Sequence, residues 1–342
     1  MSIDYRKIIF TIIAISVLGT GGFFLYKYLT RPAEVTQPPI VPPSPTTEVP
    51  PTPIVSGSFK PVQLSCAKDN GVRLQELDFV NNPSAILLDD GRYRIYYDTV
   101  PYVVKSAVSS DGIFFTSEGI QKQGLPDTEE TYVGSPSVIK ADNKWMMYYQ
   151  GSVMRPNAST KYKIFAGVSG SGLNFGGRGV VIDDQTSTFG AKNPEAVVLP
   201  GGKVRLYYLT SQGVKTALSD DGINFTPENG PIITGATGVS VINYLPEHYL
   251  ALCAANPNLS KPELQTIRTL NAKNSVDFDP KACGQGSLAL KPSIPFDFWG
   301  VQAPSIIRVR GAFRVFYQGF NVEPSLGGGS VILSATCSVE EI

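Results

Sequence analysis

Along residues 70–338 the apolar positions come in short alternating bursts separated by Gly, Asp and Pro clusters, the pattern of strands and tight turns rather than of helices. One phrase organises them. A Pro-led apolar run, Pro83-Ser84-Ala85-Ile86, is followed by a turn at Asp89-Asp90-Gly91 and an alternating strand that ends in the pair Tyr96-Tyr97. A third strand, Val104-Lys105-Ser106-Ala107-Val108, then leads through Ser110-Asp111-Gly112 to Phe115. The phrase returns as Pro136-Ser137-Val138-Ile139 with Tyr148-Tyr149, as Pro194-Glu195-Ala196-Val197 with Tyr207-Tyr208 and Asp221-Gly222, and as Pro304-Ser305-Ile306-Ile307 with Phe316-Tyr317. A period of roughly 45 to 60 residues carrying several strands per unit predicts a radial array of blades.

Between the third and last full copies lies a degenerate one. Gly238-Val239-Ser240-Val241-Ile242 stands where a Pro-led strand is due, Tyr249-Leu250-Ala251-Leu252 replaces the aromatic pair, and Asn274-Ser275-Val276-Asp277-Phe278 takes the place of the closing turn. The expectation is therefore an all-β, five-bladed β-propeller with blades near 70–128, 129–187, 188–235, 236–295 and 296–338. Four cysteines fit this plan: Cys66 precedes blade one, Cys337 ends blade five, and Cys253 and Cys283 fall in the weak fourth blade. A Cys66–Cys337 bond would staple the ring where its ends meet. Four cysteines allow three pairings, and four free thiols are the alternative.

Ahead of the propeller (59–342) the pattern changes twice. Residues 8–26 form an apolar run of about twenty residues, long enough to cross a bilayer, with Arg6 and Lys7 before it and Lys27 and Arg31 after it. Residues 19–22, Gly-Thr-Gly-Gly, make a poor cleavage site with Phe23 and Phe24 still to follow, so residues 1–30 are expected to be an uncleaved N-terminal transmembrane helix. Residues 31–58 carry nine prolines interleaved with Thr and Val, a proline-rich linker tending to polyproline II at about 3.1 Å per residue. Anchor, stalk and cysteines together predict a single-pass membrane protein with its propeller on the extracytoplasmic side.

Composition removes several function classes. Lys plus Arg and Asp plus Glu both number 29, so no net field favours nucleic acid. The single histidine, His248, is expected in a surface loop, and with no CxxC pair and no Gly-rich phosphate loop neither a metal site nor a cofactor is expected. Gly327-Gly328-Gly329 reads as a hairpin loop. The Asp-Gly turns are expected to hold their hairpins by side-chain-to-backbone bonds.

The Pro-led strand, the Tyr-Tyr strand, the Ala-x-Ser strand (Ala107-Val108-Ser109, Ala217-Leu218-Ser219) and the Asp-Gly-x-x-Phe turn resemble the five-bladed propellers of the arabinanase, levansucrase and invertase superfamily, including glycoside hydrolase families 43 and 32. The resemblance spans residues 70–338. It implies a carbohydrate ligand in the mouth of a central channel lined by the Pro-led strands. It also implies three acids: an aspartate before the blade-one Pro, another before the blade-two Pro, and a general-acid glutamate before the blade-three Pro. This chain departs from that pattern at all three places, with Asn82, Ser135 and Lys192-Asn193. An amide is no general base, and paired carboxyl groups are what glycoside cleavage requires.

What remains for a sugar is a mouth of Asn82, Ser135, Asn193 and Gln302, with Lys192 nearby and Trp299 as a candidate stacking residue; amides both donate and accept, which suits hydroxyl groups. These amides could equally cap strand ends. Strand parity puts Glu195 on the same side as Asn193, where the other blades carry Ser84, Ser137 and Ser305, so Glu195 is the candidate catalytic acid, with Asp78 as its partner. The alternative for Glu195 is a carboxylate bound to neighbouring backbone amides. Two functions follow from this reading: a tethered propeller that binds or cleaves carbohydrate, and, as the alternative, a non-catalytic protein-interaction propeller on the cell surface.

Overall fold

The computed structural model describes residues 59–342 apart from 77–78, 101, 142, 154–160, 256–264, 294 and 321–328. The expected anchor (1–30), the linker (31–58), Asp78 and the glycines at 327 and 328 all lie outside the described residues. Among those described, no helix is long and apolar enough to cross a membrane.

Among the described residues twenty strands form five four-stranded antiparallel sheets. Blade one comprises β2 (Val80–Leu87), β3 (Tyr93–Thr99), β4 (Val103–Ser109) and β5 (Thr116–Gln123), with β1 (Val62–Lys68) preceding them. Blade two is β6 (Tyr132–Ala141), β7 (Lys144–Ser152), β8 (Lys163–Ser169) and β9 (Gly176–Ile182). Blade three is β10 (Lys192–Val198), β11 (Val204–Thr210), β12 (Gly213–Ser219) and β13 (Thr226–Pro227). Blade four is β14 (Ala236–Leu245), β15 (His248–Ala255), β16 (Thr266–Ala272) and β17 (Ser287–Leu290). Blade five draws only β18 (Gly300–Val309), β19 (Ala312–Phe320) and β20 (Ser330–Glu341) from the C-terminal end; its outer strand is β1.

That last assignment corrects the expected boundary of blade five. Residues 62–68 belong to it, paired antiparallel from Val62 opposite Glu341 to Lys68 opposite Ala335. Cys66 and Cys337 sit directly opposite in this register and form a disulfide, and Cys253–Cys283 ties β15 to a 3-10 turn at Cys283–Gln285. No cysteine is free.

Each second strand is buried over almost its whole length because both faces are covered by neighbouring blades, which is why those strands read as continuous apolar and aromatic runs. The first tyrosine of the pair reaches the next blade: Tyr96 Oη donates to the Gly172 carbonyl at 2.7 Å and Tyr148 Oη to that of Gly222 at 2.8 Å. The acceptors belong to the closing turns. In these, Asp221 Oδ1 takes the N–H groups of Ile223 and Asn224, both at 2.8 Å, and Asp111 does the same for Ile113 and Phe114. The aspartates are therefore hairpin staples, as their sequence context suggests.

His248 corrects another expectation. It is buried rather than in a surface loop, with Nε2 3.0 Å from Asn271 Oδ1 and its ring packed against Phe59 and Tyr244. Its position at the start of β15, beneath the entering N-terminal segment, buries it.

Candidate functional site at the channel mouth

The Pro-led strands are the innermost ones, and each carries an irregularity at the same place. Pairing with the second strand breaks between Asn81 and Ser84, between Gly134 and Ser137, between Lys192 and Glu195, and between Gln302 and Ser305. Proline lacks the N–H that a regular ladder needs, so it is accommodated at a bulge. The residue before it turns left-handed, with φ of 48° at Asn82, 47° at Ser135, 49° at Asn193 and 46° at Ala303. This conformation is uncommon for non-glycine residues and best tolerated by asparagine. In blade five the equivalent of Asn82 is thus Ala303, and Gln302 sits one step earlier.

These bulges surround a cavity of about 70 Å³ lined by, among others, Asn82, Ser135, Asn193, Glu195, Thr237 and Gln302. Its size is well below the roughly 300 Å³ at which a pocket encloses a small ligand. Of the expected residues, Asn82, Ser135, Asn193, Gln302 and Glu195 converge here. Lys192 and Trp299 do not line the cavity: the Lys192 amine lies 4.6 Å from the Phe189 ring centre, and half-buried Trp299 neighbours Phe298 just before β18.

The polar groups of the mouth are linked blade to blade. Asn82 Nδ2 donates to Asp98 at 2.9 Å, and Asp98 also accepts the Ser135 N–H at 2.8 Å. Ser135 Oγ donates to Asn193 Oδ1 at 3.1 Å, and Asn193 Nδ2 to the Thr237 carbonyl at 2.8 Å. Gln150 Oε1 accepts the Asn193 N–H, and Gln302 donates to Gln318, which donates to Asn81. Asp98, Gln150 and Gln318 were absent from the sequence-derived set. Their signal was the polar residue directly after the aromatic pair in blades one, two and five (Tyr96-Tyr97-Asp98, Tyr148-Tyr149-Gln150, Phe316-Tyr317-Gln318). Asp98 is buried and, among the described residues, pairs with no cation; that burial pushes its carboxyl above the usual range despite its donors.

One step deeper a second ring runs round the axis. The N–H groups of Val138, Ala196, Val241, Ile306 and Ala85 donate respectively to Ser84, Ser137, Glu195, Ser240 and Ser305, at 2.8–3.1 Å. Each acceptor bonds the following blade, and the fifth returns to the first. Glu195 occupies the place of a serine here. It additionally accepts Ser240 Oγ–H at 2.8 Å and Ser137 Oγ–H at 3.2 Å. Burial raises its carboxyl to about 7, with these three donors opposing the shift. Among the described residues it is the only carboxylate lining the cavity.

No family model matches this chain, and no curated protein does. Solved structures do. A family 117 glycoside hydrolase produced by the marine bacterium Zobellia galactanivorans superposes with a TM-score of 0.63 at 18% identity, over 81% of this chain and 90% of that one. An exo-1,5-α-L-arabinanase from a bovine ruminal metagenomic library gives 0.59 at 15% identity, over 79% and 100%. The α-L-arabinanase of Cellvibrio cellulosa, solved with arabinohexaose, gives 0.60 at 13% identity, over 75% and 91%. Identities this low carry the fold and leave activity to the site itself. In fold, the chain is a five-bladed β-propeller of the kind these glycoside hydrolases share.

Proposed function

We propose that this protein is a carbohydrate-binding propeller that does not hydrolyse its ligand, held at the extracytoplasmic face of a membrane by residues 1–30. The observation that carries the reading is the state of Glu195. It is the only acid lining the described mouth, and three donors from β6's Ser137 and β14's Ser240 and Val241 hold it in the inter-blade ring. Glycoside cleavage needs two carboxyl groups about 5 to 10 Å apart across the scissile bond. The positions that would supply others carry Asn82, Ser135 and Asn193. Asp98 stands behind Asn82 and is bonded to it.

The amide and hydroxyl edge of the mouth supports recognition of sugar hydroxyls, and the fold shared with carbohydrate-active propellers supports the same ligand class. Two disulfides fit an oxidising compartment, and the apolar and proline-rich segments fit an anchor and stalk.

Calorimetric titration of the full chain with a panel of oligosaccharides tests the binding step. Expected is saturable binding to at least one glycan that weakens in Asn82→Ala, with no release of the aglycone from aryl glycosides. Turnover that disappears in Glu195→Gln would instead identify a glycosidase, and the absence of glycan binding would end the reading. For the tether, the chain should fractionate with membranes and a chain lacking residues 1–30 should not.

A further inference from the structure

The hydrogen bonds around the mouth have a direction. Asn82 Nδ2 donates to Asp98 Oδ1 at 2.9 Å, and the Ser135 N–H donates to the same oxygen at 2.8 Å. From the other side, Gln302 Nε2 donates to Gln318 Oε1 at 3.1 Å, and Gln318 Nε2 donates to Asn81 Oδ1 at 2.7 Å. Ser330 Oγ donates to that same Asn81 oxygen at 2.9 Å, so Asn81 turns its nitrogen the other way, to 3.5 Å from Asp98 Oδ2. Among the described residues every partner of the Asp98 carboxyl is thus a donor. That is the setting of an ionised carboxylate, because a carboxylic acid needs an acceptor for its proton. Burial works against the charge, and no described cation offsets it.

Amides that commit their nitrogens toward one carboxylate leave their oxygens open. Asn82 Oδ1 and Gln302 Oε1 receive no donor among the described residues, and both side chains line the cavity. Ser135 Oγ gives its proton to Asn193 Oδ1 at 3.1 Å and keeps only lone pairs to offer. Glu195 accepts from Ser240 Oγ, the Val241 N–H and Ser137 Oγ, which leaves about one of a carboxylate's four acceptor sites unfilled.

Nothing positive balances these groups. No lysine or arginine lines the cavity among the described residues, and Lys192, next in sequence to Asn193, keeps its amine over the Phe189 ring. Open acceptors, one lining carboxyl and a second carboxylate behind Asn82 favour a cation that brings its own N–H donors, and they do so more strongly where water is excluded. The cavity of about 70 Å³ has room for an ammonium group, since a single water needs only about 10–15 Å³ on that measure.

Resting on the carbohydrate reading above, we infer that the mouth selects glycans bearing a free amino group, whose ammonium is taken by the open acceptors of Asn82, Ser135 and Gln302. Asp98 is a positioning residue. It turns the amide of Asn82 directly and that of Gln302 through Asn81 and Gln318, and its charge acts on the ligand through them. A hydroxyl in the same place brings one donor and no charge.

The test is calorimetry of the full chain, at a pH where amino sugars are protonated, with β-1,4-linked oligomers of glucosamine, of glucose and of N-acetylglucosamine. These probes differ only at the 2-position. Expected is about tenfold tighter binding of the glucosamine oligomer than of the other two. Asp98→Asn removes the charge behind Asn82, and Gln302→Met removes an open acceptor at similar bulk. Each should shrink that preference at least about threefold, and Gln302→Met carries the test if Asp98→Asn does not fold. Equal affinity for the three oligomers, or tighter binding of a neutral one, overturns the selection. A preference that survives the variants overturns the mouth as its seat. Butylamine, an ammonium without a sugar, should bind at least about a hundredfold more weakly than the glucosamine oligomer. Butylamine binding as tight as the oligomer's would overturn the carbohydrate reading and leave a cation site. If none of the three oligomers binds but another glycan does, and Asn82→Ala weakens it, the amino-group selection falls and the carbohydrate reading stands.

Discussion

Glu195 shows how one side chain can be both the obvious catalytic candidate and a structural member. Its carboxyl rises from an ordinary 4.5 to about 7, so in the window between these values the folded protein holds a proton that the unfolded chain has released. Its contribution to stability is therefore full below about 4.5 and is lost as pH rises through about 7, amounting to about 3 kcal/mol in the linkage relation. Glu195→Gln keeps an acceptor for the Val241 N–H and cannot titrate. Denaturant midpoints measured from pH 4 to 8 should accordingly be flatter in the variant than in the parent. An unchanged pH profile would mean that Glu195 is not the titrating group. Asp98 has a different weakness. Asp98→Ala removes the acceptor of the buried Ser135 N–H and of Asn82, and the expected loss is about 1–3 kcal/mol in chemical denaturation.

At the scale of the element, the recurring phrase acquires a reason for each of its letters. The proline tolerates a bulge where the ladder needs no N–H, and the serine after it accepts the next blade's amide. The tyrosine of the second strand reaches the next blade's closing turn. Ser84→Ala should thus strand the Val138 N–H between blades one and two and cost about 1–3 kcal/mol. Gly222 is a sharper case. It sits at φ 73°, and an added Cβ would lie 2.6 Å from Met146 Sδ, so Gly222→Ala must strain the turn and make the Met146 side chain shift. The expected cost is on the order of 2 kcal/mol, read as a lowered denaturant midpoint.

Over the whole molecule, stability depends on closing a ring whose last blade is assembled from both ends of the described chain. The Cys66–Cys337 bond spans 271 residues and Cys253–Cys283 spans 30. In the chain-entropy account the longer loop confers about 5.6 kcal/mol and the shorter about 3.6 kcal/mol. Replacing Cys66 and Cys337 by serine should therefore lower the denaturation midpoint more than replacing Cys253 and Cys283. It should also speed hydrogen exchange selectively along β1 and β20. A uniform rise in exchange across all five blades would show that the bond does not act at the closure.

Periodicity alone determined the number of blades, their order and the innermost strands, because each repeat must bury the same faces against its neighbours and so repeats the same residue types. Together with the family resemblance it pointed to Asn82, Ser135, Asn193 and Glu195 as mouth positions, since a Pro-led strand carries its own position marker. Contacts between residues remote in sequence were decided only by the tertiary structure. β1 joined blade five because a ring needs a closing strand; Cys66 pointed toward Cys337, but nothing local in Val62–Lys68 made the segment that blade's outer strand or set its register. His248 was buried by the segment that enters over it, and Asp98 and Gln150 came to support the mouth from behind through partners 37 and 43 positions away. The serine ring that holds Glu195 closes only when the fifth blade meets the first, so whether that acid is free to react is a property of the assembled propeller and of no segment within it.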